Sequence, residues 1–321
     1  MVKCGAAVSG GLQTGSETRP VPPRKGADAE TGSVKSGNRS PGDAPVEDKV
    51  QLQRFELKYR VDEPTARAIR EFISGYLEPD EYSLDKPNYS YPVHSLYLDS
   101  DDLRCFWDVF NSNKNRFKLR IRYYDDRPDT PAFCEIKRRV NEAILKQRCA
   151  IRKEVVPQLL AGQLPDPSYL LSRKPQQLEA LQEFCRRITD LNAKPRTHVS
   201  YLREAWVSPG SNAVRICMDR QVCSEPQFTP ELKTTMENPV MPFEPEVILE
   251  LKFTGRFPNW MGDLVRSFGL RQVSSAKYAD GVALLGERRL APETLTFLRE
   301  DFLERLLQRH QVPARERATK E

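Results

Sequence analysis

From Leu52 onward the chain is governed by alternation, the pattern that puts residues two apart on one face of a strand. Two stretches carry it most clearly. In RFKLRIRYY, Arg116 to Tyr124, Lys118, Arg120 and Arg122 share one side, and Phe117, Leu119, Ile121 and Tyr123 the other. In AFCEIKRR, Ala132 to Arg139, Glu135, Lys137 and Arg139 oppose Cys134, Ile136 and Arg138. Asp125 to Pro131, rich in Asp, Arg and Pro, reads as the loop between them.

The same period predicts strands at Arg54 to Val61, Val93 to Leu98, Ile144 to Ile151, Lys194 to Trp206, Val214 to Arg220 and Pro245 to Phe253. A hairpin closed around Pro209 and Gly210 joins two of them. Helical spacing takes over after Asp62 and Pro64, a cap followed by proline in the first turn. Further helices are expected over Asp101 to Asn111, Val155 to Leu164, Gln176 to Ile188, Asn259 to Phe268 and Glu293 to Arg309. Ser274 to Gly281, which holds Lys277, is loop-like. Short links between the early strands favour antiparallel pairing over βαβ crossovers.

Charge changes this picture. Three cations in a row on one face of a strand repel one another, and like-charged neighbours destabilise a sheet. A polyanion held against that face, most simply a row of phosphates, would relieve this. A basic surface strand whose long stems cover a core is the rival reading. Many strands carry a charged face where a sandwich would carry an apolar one. The expected class is therefore α+β, an antiparallel eight-stranded closed β tunnel with polar residues inside and helices packed outside. The plain alternative is an open sheet with a solvated face.

Composition sets the limits. The 321 residues suffice for one large or two medium domains. Mean hydropathy is -0.61, and part of the deficit lies in residues 1–50, a Gly-, Ser-, Pro- and charge-rich stretch expected to be a disordered tail. The main domain is expected over 51–289, with a C-terminal helix and tail over 290–321. A net charge of +5 permits a polyanionic partner without demanding one. Seven scattered cysteines without a C-x-x-C pair, and three histidines, give no zinc signature and suggest free thiols. His94, His198 and His310 form no cluster in the sequence. There is no apolar run long enough to span a membrane, a secretory leader is not expected because no continuous apolar core follows Lys3, and a cytoplasmic location is expected.

The stretch from about Arg54 to about Gly281 resembles the VTC domain. This is the polyphosphate polymerase domain of vacuolar transporter chaperone complexes, within the triphosphate tunnel metalloenzyme, or CYTH-like, superfamily. Six motifs occur in family order. They are R-x-E-x-K-Y at Arg54 to Tyr59, L-R-x-R-Y-Y at Leu119 to Tyr124, E-I-K-R at Glu135 to Arg138, S-Y-x-R at Ser200 to Arg203, E-x-K at Glu250 to Lys252, and S-x-K-Y-x-x-G at Ser275 to Gly281.

The resemblance implies transfer of the γ-phosphoryl of ATP onto a growing polyphosphate chain, with Mn2+ or Mg2+. It implies catalytic roles for Lys58, Arg120, Arg122, Lys137, Arg203 and Lys277. Lys153, Arg215, Arg196, Lys118, Tyr201 and Ser275 would bind phosphate. Glu250 would hold the metal, with Glu56 and Glu135 as further candidates. Arg and Lys suit phosphate oxygens, and a metal bridging phosphates needs a hard oxygen ligand. The implied partners are ATP and polyphosphate rather than a nucleic-acid duplex, with a membrane or regulatory partner left open. Triphosphate hydrolysis and non-catalytic polyphosphate binding are the alternatives. The complexes also carry an SPX regulatory domain and membrane helices, which this sequence does not show.

Overall fold

The computed structural model describes residues 54–141 and 143–291. The expected N-terminal tail and the helix expected over Glu293 to Arg309 lie outside them. Eight long strands alternate with helices: β1 (Arg54–Val61), β3 (Ser90–Asp99), β4 (Asn115–Tyr123), β5 (Pro131–Val140), β6 (Ala143–Arg152), β7 (Lys194–Val207), β8 (Val214–Pro226) and β9 (Val247–Thr254). A two-residue strand, β2 (Glu78–Pro79), pairs with β7. The hydrogen-bonded order is β1-β9-β8-β7-β3-β4-β5-β6, antiparallel at every step.

This order corrects the expected closed tunnel. The sheet has two edges, β1 and β6, which approach each other without pairing. The chain itself occupies the backbone groups that closure would use. On β1, Tyr59 bridges Gln272, and the Val273 amide donates to the Lys58 carbonyl at 2.9 Å. On β6, Ile151 bridges Leu170, the Leu171 amide donates to the Ala150 carbonyl at 3.1 Å, and the Ala150 amide donates to Gln177 Oε1 at 2.9 Å. Such covering protects edge strands against stray pairing. The sheet still curls strongly. Lys137 on β5 meets Glu56 on β1 at 2.8 Å, although the two strands stand near opposite ends of the ladder.

Helices cover the apolar face in two groups. α2 (Arg104–Phe110), α3 (Val156–Leu160), α4 (Pro175–Leu191) and α6 (Lys277–Leu285) bring Phe106, Leu159, Leu181, Phe184 and Val282 into one core with Leu96, Leu119, Ile121 and Ile136. α1 (Glu63–Ile73) and α5 (Asn259–Ser267) bring Ile69, Ile73, Met261 and Leu264 onto Tyr59, Ile216, Leu249 and Leu251. Each such side chain contributes roughly 1.5–3 kcal/mol by leaving water. The capping is local and legible: Asp62 accepts from the Thr65 amide at 2.8 Å, and Pro64 fills the first turn of α1.

The stretch expected to be loop-like is helical from Lys277. Gly281 explains how it docks, because a Cβ there would meet Ser224 Oγ of β8 at 2.5 Å. The missing side chain lets α6 lie against the sheet, which brings Lys277, at its first turn, to the charged residues of β8 and β9.

Candidate functional site

Strand register assembles one charged face. Across β3 to β6, Tyr97 lies opposite Arg120, Arg120 opposite Glu135, and Glu135 opposite Arg148. One step along, Lys118 faces Lys137 and Lys137 faces Lys146, three ammonium groups in one row. Across β7 to β1, Arg203 lies opposite Asp219, Cys217 opposite Glu250, Glu250 opposite Lys58, Arg215 opposite Lys252, and Lys252 opposite Glu56.

Carboxylates hold these cations in place. Glu250 accepts from Lys252 at 2.5 Å and Lys277 at 3.0 Å, with Arg203 at 3.6 Å and Lys58 at 3.8 Å. Asp219 takes both arms of Arg203 at 2.8 Å each and Lys277 at 2.6 Å. Glu56 pairs with Lys137 at 2.8 Å and Lys58 at 3.4 Å. Glu135 stands among Arg120 at 2.6 Å, Lys146 at 2.9 Å, Arg148 at 3.5 Å and Arg122 at 3.8 Å. Arg215 is tied to Asp80 at 2.5 Å. Tyrosines complete the cage: Tyr97 Oη accepts from Arg120 at 3.0 Å and Tyr201 Oη from Arg122 at 3.1 Å. Ser275 contributes its carbonyl to Lys58 at 2.8 Å and its hydroxyl to Arg60 at 3.2 Å.

The electrostatics follow from burial and crowding. Burial alone would push the carboxyls of Glu250 and Glu135 up. The surrounding cations overcome this and hold both well below the usual carboxylate range. Glu56 and Asp219 are lowered in the same way, by Lys137 and Lys58 and by Arg203 and Lys277 respectively. Lys277 is pushed up because Asp219 and Glu250 outweigh its burial. Lys118 differs. Burial, reinforced by Lys58 and Lys137, brings it down to about 8, and it makes no ion pair among the described residues. Partial burial, together with Arg148 and Arg122, brings Lys146 down to about 8 against the pull of Glu135, although its side chain is 44% exposed. In Tyr97 the cations Arg120 and Lys118 outweigh burial and lower the phenol to about 8.

Of the residues singled out from sequence, Lys58, Lys118, Arg120, Arg122, Lys137, Tyr201, Arg203, Arg215, Ser275, Lys277, Glu56, Glu135 and Glu250 come together here. Lys153 and Arg196 lie apart. The Lys153 ammonium is taken up by Asp125, Thr130 and the carbonyls of Asp125 and Arg127. Arg196 is bound to Asp101 and the Leu290 carbonyl. Sequence reasoning missed Tyr97, whose place beside Arg120 is set by register. It also passed over Lys252, although its parity with Glu250 was visible. The histidines likewise do not stay apart: His94 Nδ1 and His198 Nε2 are 3.1 Å from each other. Burial lowers them to about 4 and about 3, which makes the pair a neutral part of the core.

Among the described residues, no three His, Cys, Asp or Glu side chains converge on a metal position. An ion held by protein ligands alone therefore does not fit. An ion arriving on phosphate oxygens needs only one or two protein carboxylates, and Glu250 and Glu56 fit that requirement.

The VTC domain family matches residues 53–286. The vacuolar transporter chaperone complex subunit 4 of Schizosaccharomyces pombe is 23% identical over 227 residues, 60% of this chain and 32% of that protein. The chain thus spans about a third of the length of that relative. Two solved structures are similar in trace: a Bacillus halodurans protein described as an adenylate cyclase and the triphosphatase of the Mimivirus capping enzyme. The first is 13% identical, with a TM-score of 0.41, covering 70% of this chain and 96% of that one. The second is 12% identical, with a TM-score of 0.31, covering 67% and 88%. No helix among the described residues is long and apolar enough to cross a membrane. With more than half of its length matched, the chain belongs to the VTC domain family.

Proposed function

We propose that this protein is an ATP-dependent polyphosphate polymerase, transferring the γ-phosphoryl of ATP to the end of a polyphosphate chain. The observation that carries the reading is the Lys118, Lys137 and Lys146 row, three like charges in register across adjacent strands. Glu56 and Glu135 answer Lys137 and Lys146 but Lys118 has no ion pair among the described residues, so the row keeps an excess of positive charge that a linear polyanion would neutralise. Lys58, Arg120, Arg122, Lys137, Arg203, Glu250 and Lys277 fall within the motifs by which the chain resembles the family, and the family relative is a subunit of a vacuolar transporter chaperone complex.

Phosphoryl transfer asks the protein for alignment and charge neutralisation more than for covalent chemistry. Arg120 and Arg122, fixed by Glu135 and by the phenols of Tyr97 and Tyr201, offer planar forks to phosphate oxygens. Lys58, Lys137 and Lys118 supply point charges beside them. Arg203 and Lys277, oriented by Asp219, bring charge to the transferring group. Glu250, with Glu56, would hold Mn2+ or Mg2+ on the phosphates, where the ion neutralises charge on the group in transfer. The acceptor is a phosphate oxygen, already anionic at neutral pH, so no protein base is required.

The test is incubation of the purified protein with γ-labelled ATP and manganese, with products resolved by length. Long labelled chains with ADP are expected. Labelled orthophosphate alone would overturn the reading in favour of a triphosphatase. Tight polyphosphate binding without turnover would overturn it in favour of a binding module.

A further inference from the structure

One end of the charged face is aromatic. Tyr91 lies opposite Arg203 and Phe133 opposite Arg122, so both rings belong to the same face as the cations. Tyr124, two residues beyond Arg122, lies 6.2 Å from Tyr91 and 6.0 Å from Phe133, ring centre to ring centre. Tyr82, from the segment between β2 and β3, completes the group. It lies 6.0 Å from Tyr91 and 6.5 Å from Tyr124, within 5° of parallel to the latter. Tyr82 is 58% exposed, a large apolar ring left at the surface. Arginines flank the group. The Arg148 guanidinium sits 3.7 Å over the Phe133 ring, and Arg215 is 3.4 Å from Tyr91 Oη. The other end of the face, at Lys118, Lys137 and Lys58, presents point charges and the single phenol of Tyr97.

The phosphoryl-transfer reading needs ammonium and guanidinium groups but has no use for an exposed tyrosine. A nucleotide is a flat, neutral, apolar ring joined to a polyanion, and this face is a flat aromatic surface joined to a line of cations. A cationic organic group is a poor fit, because Arg148 and Arg215 already crowd the rings. We propose that Tyr82 and Tyr124 form a stacking platform for the base of the donor nucleotide, with its triphosphate running past Arg122 and Arg203 toward the lysine row. The inference rests on the proposed use of ATP and adds a direction to it: donor at the aromatic end, polyphosphate at the lysine end.

The test compares ATP with inorganic tripolyphosphate as calorimetric ligands of the full chain, since only the first has a base. In Tyr82→Ala, ATP affinity should fall about tenfold, the usual scale for loss of one base–aromatic stack, while tripolyphosphate affinity stays unchanged. In Tyr82→Trp, ATP affinity should be kept, and ATP but not tripolyphosphate should quench the new indole fluorescence. ATP affinity unchanged in Tyr82→Ala, or equal weakening of both ligands, overturns the platform alone. Failure of the wild-type chain to bind either ligand overturns the phosphoryl-transfer reading, and the platform with it.

Discussion

The two halves of the charged face handle positive charge differently. In the β8, β9 and β1 half, cations are answered from within the fold. Glu250 and Asp219, 6% and 0% exposed at their side chains, together with Glu56 engage Lys252, Lys277, Lys58 and Arg203, three carboxylates for four cations. In the β4, β5 and β6 half, Glu135 alone serves Arg120, Arg122, Lys146 and Arg148, and Lys118 has no ion pair among the described residues. The first half is close to balanced as it stands; the second carries one carboxylate for four paired cations and Lys118, an excess that the proposed anion would neutralise. The difference separates groups that fix geometry from groups that wait for a ligand, a distinction that a count of cations hides.

Breaking the balanced half should have the largest effect. Glu250→Gln leaves Lys252 and Lys277 largely buried without their shared carboxylate. Stability should drop by about 3–5 kcal/mol, the scale for breaking a buried pair from one side. Turnover should fall on the order of 10²-fold or more, as when one element of transition-state stabilisation is lost, while ATP binding falls much less. Denaturant titration read alongside single-turnover kinetics separates the two effects. Weakened ATP binding with an unchanged single-turnover rate at saturation would show that Glu250 acts on the ground state alone.

Glu135→Gln probes the other half. Its unfolding free energy should also fall by a few kcal/mol, since four cations lose their partner. Added tripolyphosphate should restore most of that loss, because a bound anion stabilises the folded state by linkage. Rescue should be much weaker in Glu250→Gln, whose stranded ammonium groups lie deeper. Thermal melts with and without tripolyphosphate measure this, and equal rescue in both variants would erase the proposed division.

Much of this was legible in the sequence, and the failures have physical causes. Parity identifies the charged side of β4 and β5, because a period of two survives in any sheet. It could not say whether the sheet closes, since closure depends on what fills the outer edges of β1 and β6, here Gln272, Val273, Leu170, Leu171 and Gln177. Tyr97 and Tyr82 were invisible as site residues because an aromatic in or beside a strand reads as core. The His94 and His198 contact is set by the pairing of β3 with β7, between residues 104 apart in the chain. Lys153 and Arg196 carry the same basic character in the sequence, but the fold sets them apart from the charged face, against Asp125 and Asp101. Gly281 was visible as a motif residue, yet its reason, the approach of α6 to Ser224, is purely tertiary.

The smallest expected effect is the most specific to the unpaired half. Lys118 titrates at about 8, below the ordinary lysine value near 10.4, because burial and its lysine neighbours disfavour its charge. A phosphate beside it would restore that charge, so above pH 8 binding must take up a proton. With the ligand's own protonation, common to every variant, divided out, affinity for tripolyphosphate should be flat below about pH 7 and fall as pH rises through 8, by at most tenfold per unit for each linked proton. Lys146 loses its charge and Tyr97 gains one in the same window, and both changes act in the same direction. The stability of the ligand-free protein should move the opposite way. Between pH 8 and 10 the unfolded chain holds more protons at Lys118 and Tyr97 than the folded one, so these groups make the fold more stable as pH rises. Lys118→Met should cut affinity a few-fold at pH 7 and reduce the slope above pH 8, and adding Tyr97→Phe should reduce it further. An unaltered slope in the double variant would place the pH response elsewhere on the face and remove Lys118 from the binding row.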